Sequence, residues 1–245
     1  MHVPPFRVIG DPSTATGPFI FTCEHASNRL DGVTATPEDR VLLEDHWGWD
    51  IGAAALTEAL VELTGSCAVL SDFSRLIIDP NRPLDSSTLI VEKCGAQPVS
   101  FNQHLAPTEV KRRIERLHGP YHRAVETTIR QRLAHGTAHL VSMHSFTPEF
   151  FGKRRLMEVG VLFDEYAAEA ETLGAALHDE GFATALNEPY TGKGGAFVYS
   201  IMRHGRSSAV PFMELEVRND LLRSPEPILD CARRIARALA VFAPT

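Results

Sequence analysis

Phe19-Ile-Phe-Thr-Cys23 is a short apolar run, closed upstream by Gly17-Pro18 and followed at once by Glu24 and His25. Its length, its content of bulky side chains and the flanking Gly-Pro predict a buried strand. From Ile51 to Leu63 apolar residues return at helical spacing (Ile51, Ala54, Ala55, Ala59, Leu60, Leu63) until Thr64-Gly65 stops them. Cys67-Ala-Val-Leu70 then reads as a second strand. Strand, helix and strand in succession are the unit of a parallel sheet.

The alternation continues outward from this unit. Leu76-Ile-Ile78 reads as a further short strand. Residues 107–134 are helical, with Val110, Ile114, Leu117, Val125, Ile129 and Leu133 facing inward and Pro120 breaking the run or beginning a second helix. His139–Met143, Glu158–Phe163 and Ala209–Glu216 read as strands, Ala167–Asp179 and Glu226–Phe242 as helices. The expectation is an α/β fold: one three-layer domain over residues 1–245, after an irregular leader (1–17), with a mixed, mostly parallel sheet flanked by helices.

A formal net charge of -7 argues against nucleic acid or an anionic membrane as partner, because both reward clustered Lys and Arg. No apolar run approaches the length of a membrane span. The N-terminal residues lack a basic segment followed by an apolar core, so a cytoplasmic protein is expected. The four cysteines, Cys23, Cys67, Cys94 and Cys231, are scattered and read as reduced thiols.

In parallel sheets ligands gather at the carboxyl ends of the strands. There the sequence sets His25 after the first strand, Asp50 before the Ile51 helix, and His144 after His139–Met143. Two imidazoles and a carboxylate with an open position form a common catalytic zinc site. A divalent cation held this way polarises a carbonyl and makes water a nucleophile near neutral pH. Asp50 read alone is a helix N-cap. Glu24 and His46 compete as ligands, and Asp45 competes with Asp50. Glu216, at the end of its strand, is the candidate general acid/base. Strand alternation puts Glu214 on the same face, so both carboxylates stay open.

Phe73-Ser-Arg-Leu-Ile-Ile-Asp-Pro-Asn-Arg-Pro83 sets Arg75 and Arg82 around apolar residues. A guanidinium fork takes a carboxylate in bidentate fashion, so Arg82 and Asn81, with Arg75 assisting, are candidate anchors for a small anionic substrate. An internal Arg75–Asp79 or Arg82–Asp85 ion pair is the plainer alternative. Tyr190-Thr-Gly-Lys-Gly-Gly-Ala196 reads either as a loop that closes over substrate or as a surface turn; its glycine spacing matches no P-loop.

These residues resemble the N-formylglutamate amidohydrolase (N-formylglutamate deformylase) family. The matching landmarks are Cys23-Glu-His-Ala-Ser-Asn28, Trp49-Asp-Ile-Gly-Ala53, Ser74 to Pro83, Pro120-Tyr-His122, His144-Ser-Phe146 and Glu214-Leu-Glu-Val-Arg-Asn-Asp-Leu221, in order over nearly the whole chain. The family in turn resembles the zinc-dependent exopeptidases and cell-wall amidases. The resemblance implies a fold of carboxypeptidase type, a divalent metal, most simply zinc, on His25, Asp50 and His144, and Glu216 as general acid/base. It also implies Asn81-Arg82 as carboxylate anchor and hydrolysis of an N-acyl amino acid such as N-formyl-L-glutamate. The chain departs from the best-known histidine-pathway members, where the first histidine follows a proline and precedes a small residue and glycine. The resemblance therefore carries the reaction type further than the substrate. An amidase or peptidase acting on another N-acyl amino acid or small peptide, and a non-catalytic anion-binding member, are the alternative functions. A cysteine hydrolase using Cys23 and His25 ranks below them. His122 or an arginine is the candidate donor to the oxyanion.

Overall fold

The computed structural model describes residues 4–195 and 197–241. The central sheet has seven strands: β1 (Phe6–Ile9), β2 (Phe19–Cys23), β3 (Cys67–Ser71), β4 (His139–Phe146), β5 (Val159–Leu162), β6 (Thr184–Leu186) and β7 (Phe212–Arg218). Their spatial order is β1-β3-β2-β4-β7-β5-β6. The β1–β3 and β7–β5 pairs are antiparallel and the other four are parallel, so the sheet is mixed and mostly parallel.

Helices α1 (Pro37–Glu44), α2 (Ala53–Thr64), α3 (Pro107–Arg113), α4 (Gly119–Leu133), α5 (Ala167–Asp179), α6 (Tyr199–Ser208) and α7 (Pro225–Leu239) complete the fold. One sheet face, carrying Phe21, Val141, Met143, Met213 and Leu215, packs on α2, α5 and α7. The other, carrying Ile20, Val69, Leu140 and Phe212, packs on α4 and α6 through Tyr121, Val125, Ile129 and Ile201. Side chains alternate along a strand. Ser142 and His144 therefore share the α4/α6 side with Glu214 and Glu216.

Several elements differ from the sequence reading. The leader contains β1, an antiparallel edge strand, where no structure was expected. Asp39 and Thr36 form a reciprocal cap that starts α1, also unexpected. β4 and β7 run on to Phe146 and Arg218, so His144 and Glu216 lie inside strands and not at their ends. The closing helix stops at Leu239, and Phe242 and Ala196 lie outside the described residues. Residues 107–133 do turn continuously, but a π-helical segment, Ile114–His118, joins α3 to α4 ahead of Pro120.

Leu76-Ile-Ile78 is a turn and not a strand. Its apolar side chains are buried, which produced the strand-like pattern. Its carbonyls find side-chain partners in place of a ladder. Leu76 O accepts from Asn102 Nδ2 at 2.7 Å and Ile77 O from the buried Arg113 Nη1 at 2.8 Å. The π segment brings His118 Nε2 to 3.0 Å from Arg82 O. Residues 75–82 are thereby pinned as an irregular segment beside the carboxyl ends of β2 and β3. Among the described residues no helix is long and apolar enough to cross a membrane.

Candidate active site

His25 follows β2, Asp50 precedes α2 and His144 lies in β4, and the fold brings one ligand atom of each within 4.8 Å of the other two. Asp50 does not cap α2: the N-cap is Gly52, at φ 85°, with no side-chain cap bond. A side chain there would run into Leu222, so glycine is needed where the chain turns from Asp50 into the helix. The Asp50 carboxylate is left to face the histidines. Its Oδ2 lies 2.7 Å from His144 Nδ1 and 3.4 Å from His25 Nδ1, and accepts from Ser145 N at 3.2 Å.

The second nitrogen of each imidazole faces another carboxylate. His25 Nε2 is 2.8 Å from Asp79 Oδ1. Because a carboxylate only accepts, that proton sits on Nε2, and Nδ1 accepts from Arg75 Nη1 at 3.2 Å. His144 Nε2 makes no aligned hydrogen bond, yet Glu24 Oε2 and Glu214 Oε2 lie 3.2 and 3.6 Å away. Glu24 is fixed in turn by Tyr121 Oη at 3.0 Å and Ser142 Oγ at 2.6 Å. Carboxylates behind ligating histidines orient the ring and raise its basicity. Both Nδ1 atoms thus point at Asp50 from rings held at their far sides.

The charges ask for a cation. Glu24, Asp50, Asp79, Glu214 and Glu216 are all buried around two histidines, Arg75 and Arg82. Burial, with Asp50 and Glu214 nearby, pushes the Glu216 carboxyl well above its ordinary range despite His144 and Arg75. Burial likewise raises Glu214 to about 7 against the pull of His144. Glu214 Oε2 and Glu216 Oε2 have no hydrogen-bond partner. Burial opposes a charge on His144, but Glu214, Asp50 and Glu24 outweigh it and hold its pKa well above the usual value. Buried acids crowded this way are relieved by a bound cation. Two nitrogens and one oxygen are a donor set that suits zinc.

A cavity of about 260 Å³ opens onto these groups and is lined also by Arg75, Asn81, Arg82, Glu214, Glu216 and Tyr190. In the parallel register Glu216 pairs with His144 and Glu214 with Ser142. Both carboxylates line the cavity, but Glu214 Oε2 also lies 3.6 Å from His144 Nε2, whereas Glu216 forms no ion pair with either histidine. Arg75 is tied to Asp79 at 2.8 Å, the internal ion pair the sequence allowed, and its other nitrogen stands 3.7 Å from Asp50. Arg82 forms no ion pair among the described residues; its guanidinium lies over Phe197 and donates to Asn81 O. The Asn81 amide is taken up internally, donating to Phe197 O at 2.7 Å and accepting from Ser200 N at 2.9 Å.

Other candidates fall away from the centre. Asp45 is half exposed and pairs with His46, which lines the cavity but is not grouped with the three candidate ligands. Cys23 is buried under the sheet and outside the cavity, and burial pushes its thiol far up, so it is no nucleophile. His122 is bonded to His204 at 2.8 Å between α4 and α6 and does not line the cavity. Glu24, which competed as a ligand, stands behind His144 instead, and Asp79, expected only as an ion-pair partner of Arg75, stands behind His25; Tyr190, at the start of the candidate closing loop, lines the cavity. Glu24 sits one residue from His25 and Asp79 two from Asn81, and only the three-dimensional pairing reveals these places.

A solved structure of an Agrobacterium tumefaciens gene product, Atu2144, is 28% identical, covers 97% of this chain and 96% of its own, and superposes with a TM-score of 0.86. The N-formylglutamate amidohydrolase from Ralstonia eutropha JMP134 is 19% identical over 98% of this chain and 97% of its own, with a TM-score of 0.77, and so shares the fold. No curated protein sequence matches. The family model for N-formylglutamate amidohydrolase matches residues 17–223, which takes in every site residue above. The chain is a hydrolase acting on amides and belongs to the N-formylglutamate amidohydrolase family.

Proposed function

We propose that this chain hydrolyses the amide bond of an N-acyl amino acid, N-formyl-L-glutamate to formate and L-glutamate, with a divalent cation, zinc, held by His25, Asp50 and His144. When bound, the cation supplies Lewis-acid polarisation of the carbonyl and activates water near neutral pH. Arg82, free of any carboxylate partner among the described residues, binds the substrate carboxylate. Asn81 acts on that anchor indirectly, by tying residues 81–82 to the turn before α6. Arg75 projects a guanidinium nitrogen beside Asp50 and His25, where negative charge develops on the acyl oxygen. Glu216 takes a proton from the attacking water and delivers it to the departing amine.

The observation that carries this reading is the placement of Glu216 beside His144 in the β4–β7 register, facing the same cavity as the three ligand atoms. A second reading, another N-acyl amino acid with an apolar portion, is favoured by Trp47, Phe150 and Phe197 in the cavity wall. Four free, buried cysteines among the described residues support a cytoplasmic enzyme. The test is release of formate from N-formyl-L-glutamate by the zinc-loaded chain, abolished by a chelator and restored by metal. Absence of turnover on N-formyl and N-acetyl forms of Glu, Asp, Gln, Met and Phe would overturn the proposal.

A further inference from the structure

Tyr190 lies in the loop between β6 and α6 and lines the cavity together with Glu216, His25 and His144. Two neighbours fix its ring. It stacks on Phe197 with centroids 5.1 Å apart and planes 21° from parallel. Arg155 has its guanidinium 5.2 Å from the Tyr190 centroid, 4.8 Å from that of Phe150 and 5.5 Å from that of Phe146. Arg155 makes no ion pair among the described residues; it donates to Thr147 O and Oγ1 and, through Nη2, to the Tyr190 oxygen, each at 3.3 Å.

That last bond settles the direction of the phenol. A guanidinium has donors and no acceptor, so the Tyr190 oxygen accepts from it and keeps its own hydrogen for another partner. No acceptor for that hydrogen exists among the described residues. Tyr190 therefore brings to the cavity wall a held hydroxyl with an unused donor. Burial, and across the cavity Glu216, raise its pKa despite Arg155, which keeps the proton in place.

Resting on the hydrolysis proposed above, we infer that Tyr190 is a further catalytic residue, donating its hydroxyl hydrogen to the substrate's acyl oxygen as negative charge builds there, and that Arg155 is the positioning residue that aims it. The proton stays on Tyr190 throughout; the bond made is to oxygen of water and the bond broken is the amide C–N, with Glu216 carrying the proton to nitrogen. Tyr190 thus joins Arg75 in the role that the sequence offered to His122 or an arginine; His122 lies elsewhere.

Tyr190→Phe keeps the ring stack and removes only the donor. In the zinc-loaded enzyme it is expected to lower kcat on the order of 10²-fold, the usual cost of one oxyanion donor, with KM within a few-fold. Affinity for a phosphonate mimic of the tetrahedral state falls with kcat, while affinity for the product amino acid and zinc content stay as in wild type. Arg155→Met is expected to lower kcat in the wild-type background and to add little in the Tyr190→Phe background, since both changes act on one hydrogen bond. An unchanged kcat in Tyr190→Phe, or a loss confined to KM, overturns the catalytic role. Equal losses from Arg155→Met in both backgrounds overturn the positioning role. A wild-type enzyme that binds zinc but hydrolyses none of the substrates overturns the proposed function itself, an outcome distinct from these.

Discussion

Asp50 and His144 stand 94 residues apart in the chain, and Asp50 Oδ2 meets His144 Nδ1 at 2.7 Å. The contact closes the gap between the loop ahead of α2 and the sheet, and His25 Nδ1 joins it from β2. As it stands the contact is a hydrogen bond from Nδ1–H to the carboxylate; with that proton gone, the nitrogen and oxygen lone pairs are close enough to share one cation, which makes the pair a candidate edge of a metal site.

Glu24 stands behind His144 as Asp79 stands behind His25. Glu24→Gln and Asp79→Asn are each expected to weaken zinc binding by about 10- to 100-fold, the range typical of such outer partners. Competition against a chromophoric chelator measures this. Unchanged affinity in both variants would show that the carboxylates serve packing alone.

The two glutamates of β7 are predicted to separate. Glu216→Gln is expected to lower kcat by about 10²- to 10⁴-fold with zinc retained, the contribution of a general acid/base. Glu214→Gln, which alters a group standing 3.6 Å from the His144 ring, is expected to lose less than Glu216→Gln. Steady-state kinetics with metal analysis of both proteins checks the order.

Arg82→Met is expected to raise KM for N-formyl-L-glutamate by roughly 10- to 100-fold, the worth of a charge-assisted contact, with a smaller effect on kcat. The corresponding carboxamide substrate, which carries no such charge, should respond weakly. Equal losses on both would remove Arg82 from the anchor.

Burial lowers His122 to about 2 and His204 to about 4, and their facing nitrogens leave room for one proton between them. Both are neutral above pH ~6.5, the ordinary value for unfolded histidine. As pH falls below that value the unfolded chain takes protons that the folded chain refuses, so stability falls steadily from pH ~6.5 toward 4. Urea unfolding at pH 7.5, 6 and 5 should show this loss, and His204→Asn should shrink it. A flat profile in the wild type would contradict the pairing.

Much of this fold was legible because apolar spacing reports burial. Phe19–Cys23 and Ala167–Asp179 have the ends that their patterns predict. The same signal misled at Leu76–Ile78, where Arg113 and Asn102 satisfy the backbone from distant helices and no local pattern records it. Helix α6, polar on its outer side and rich in Ser, Arg and Gly, lacked an apolar stripe long enough to notice. His25, Asp50 and His144 stood out because metal-binding residue types fell near element ends, although His144 proved to be inside its strand. Arg82 and Asn81 came from one motif, yet only coordinates reveal that the asparagine amide is occupied. Tyr190 gave no chemical signal, since its role depends on the direction of one hydrogen bond.

The most direct test of the central claim is the zinc content of chain first stripped and then dialysed against the metal, compared with His25→Ala, Asp50→Ala and His144→Ala. The expected result is one tightly held zinc per wild-type chain and a large loss of affinity in each variant. A wild-type chain that takes up no zinc, or a triple variant that still holds one as tightly, would contradict it.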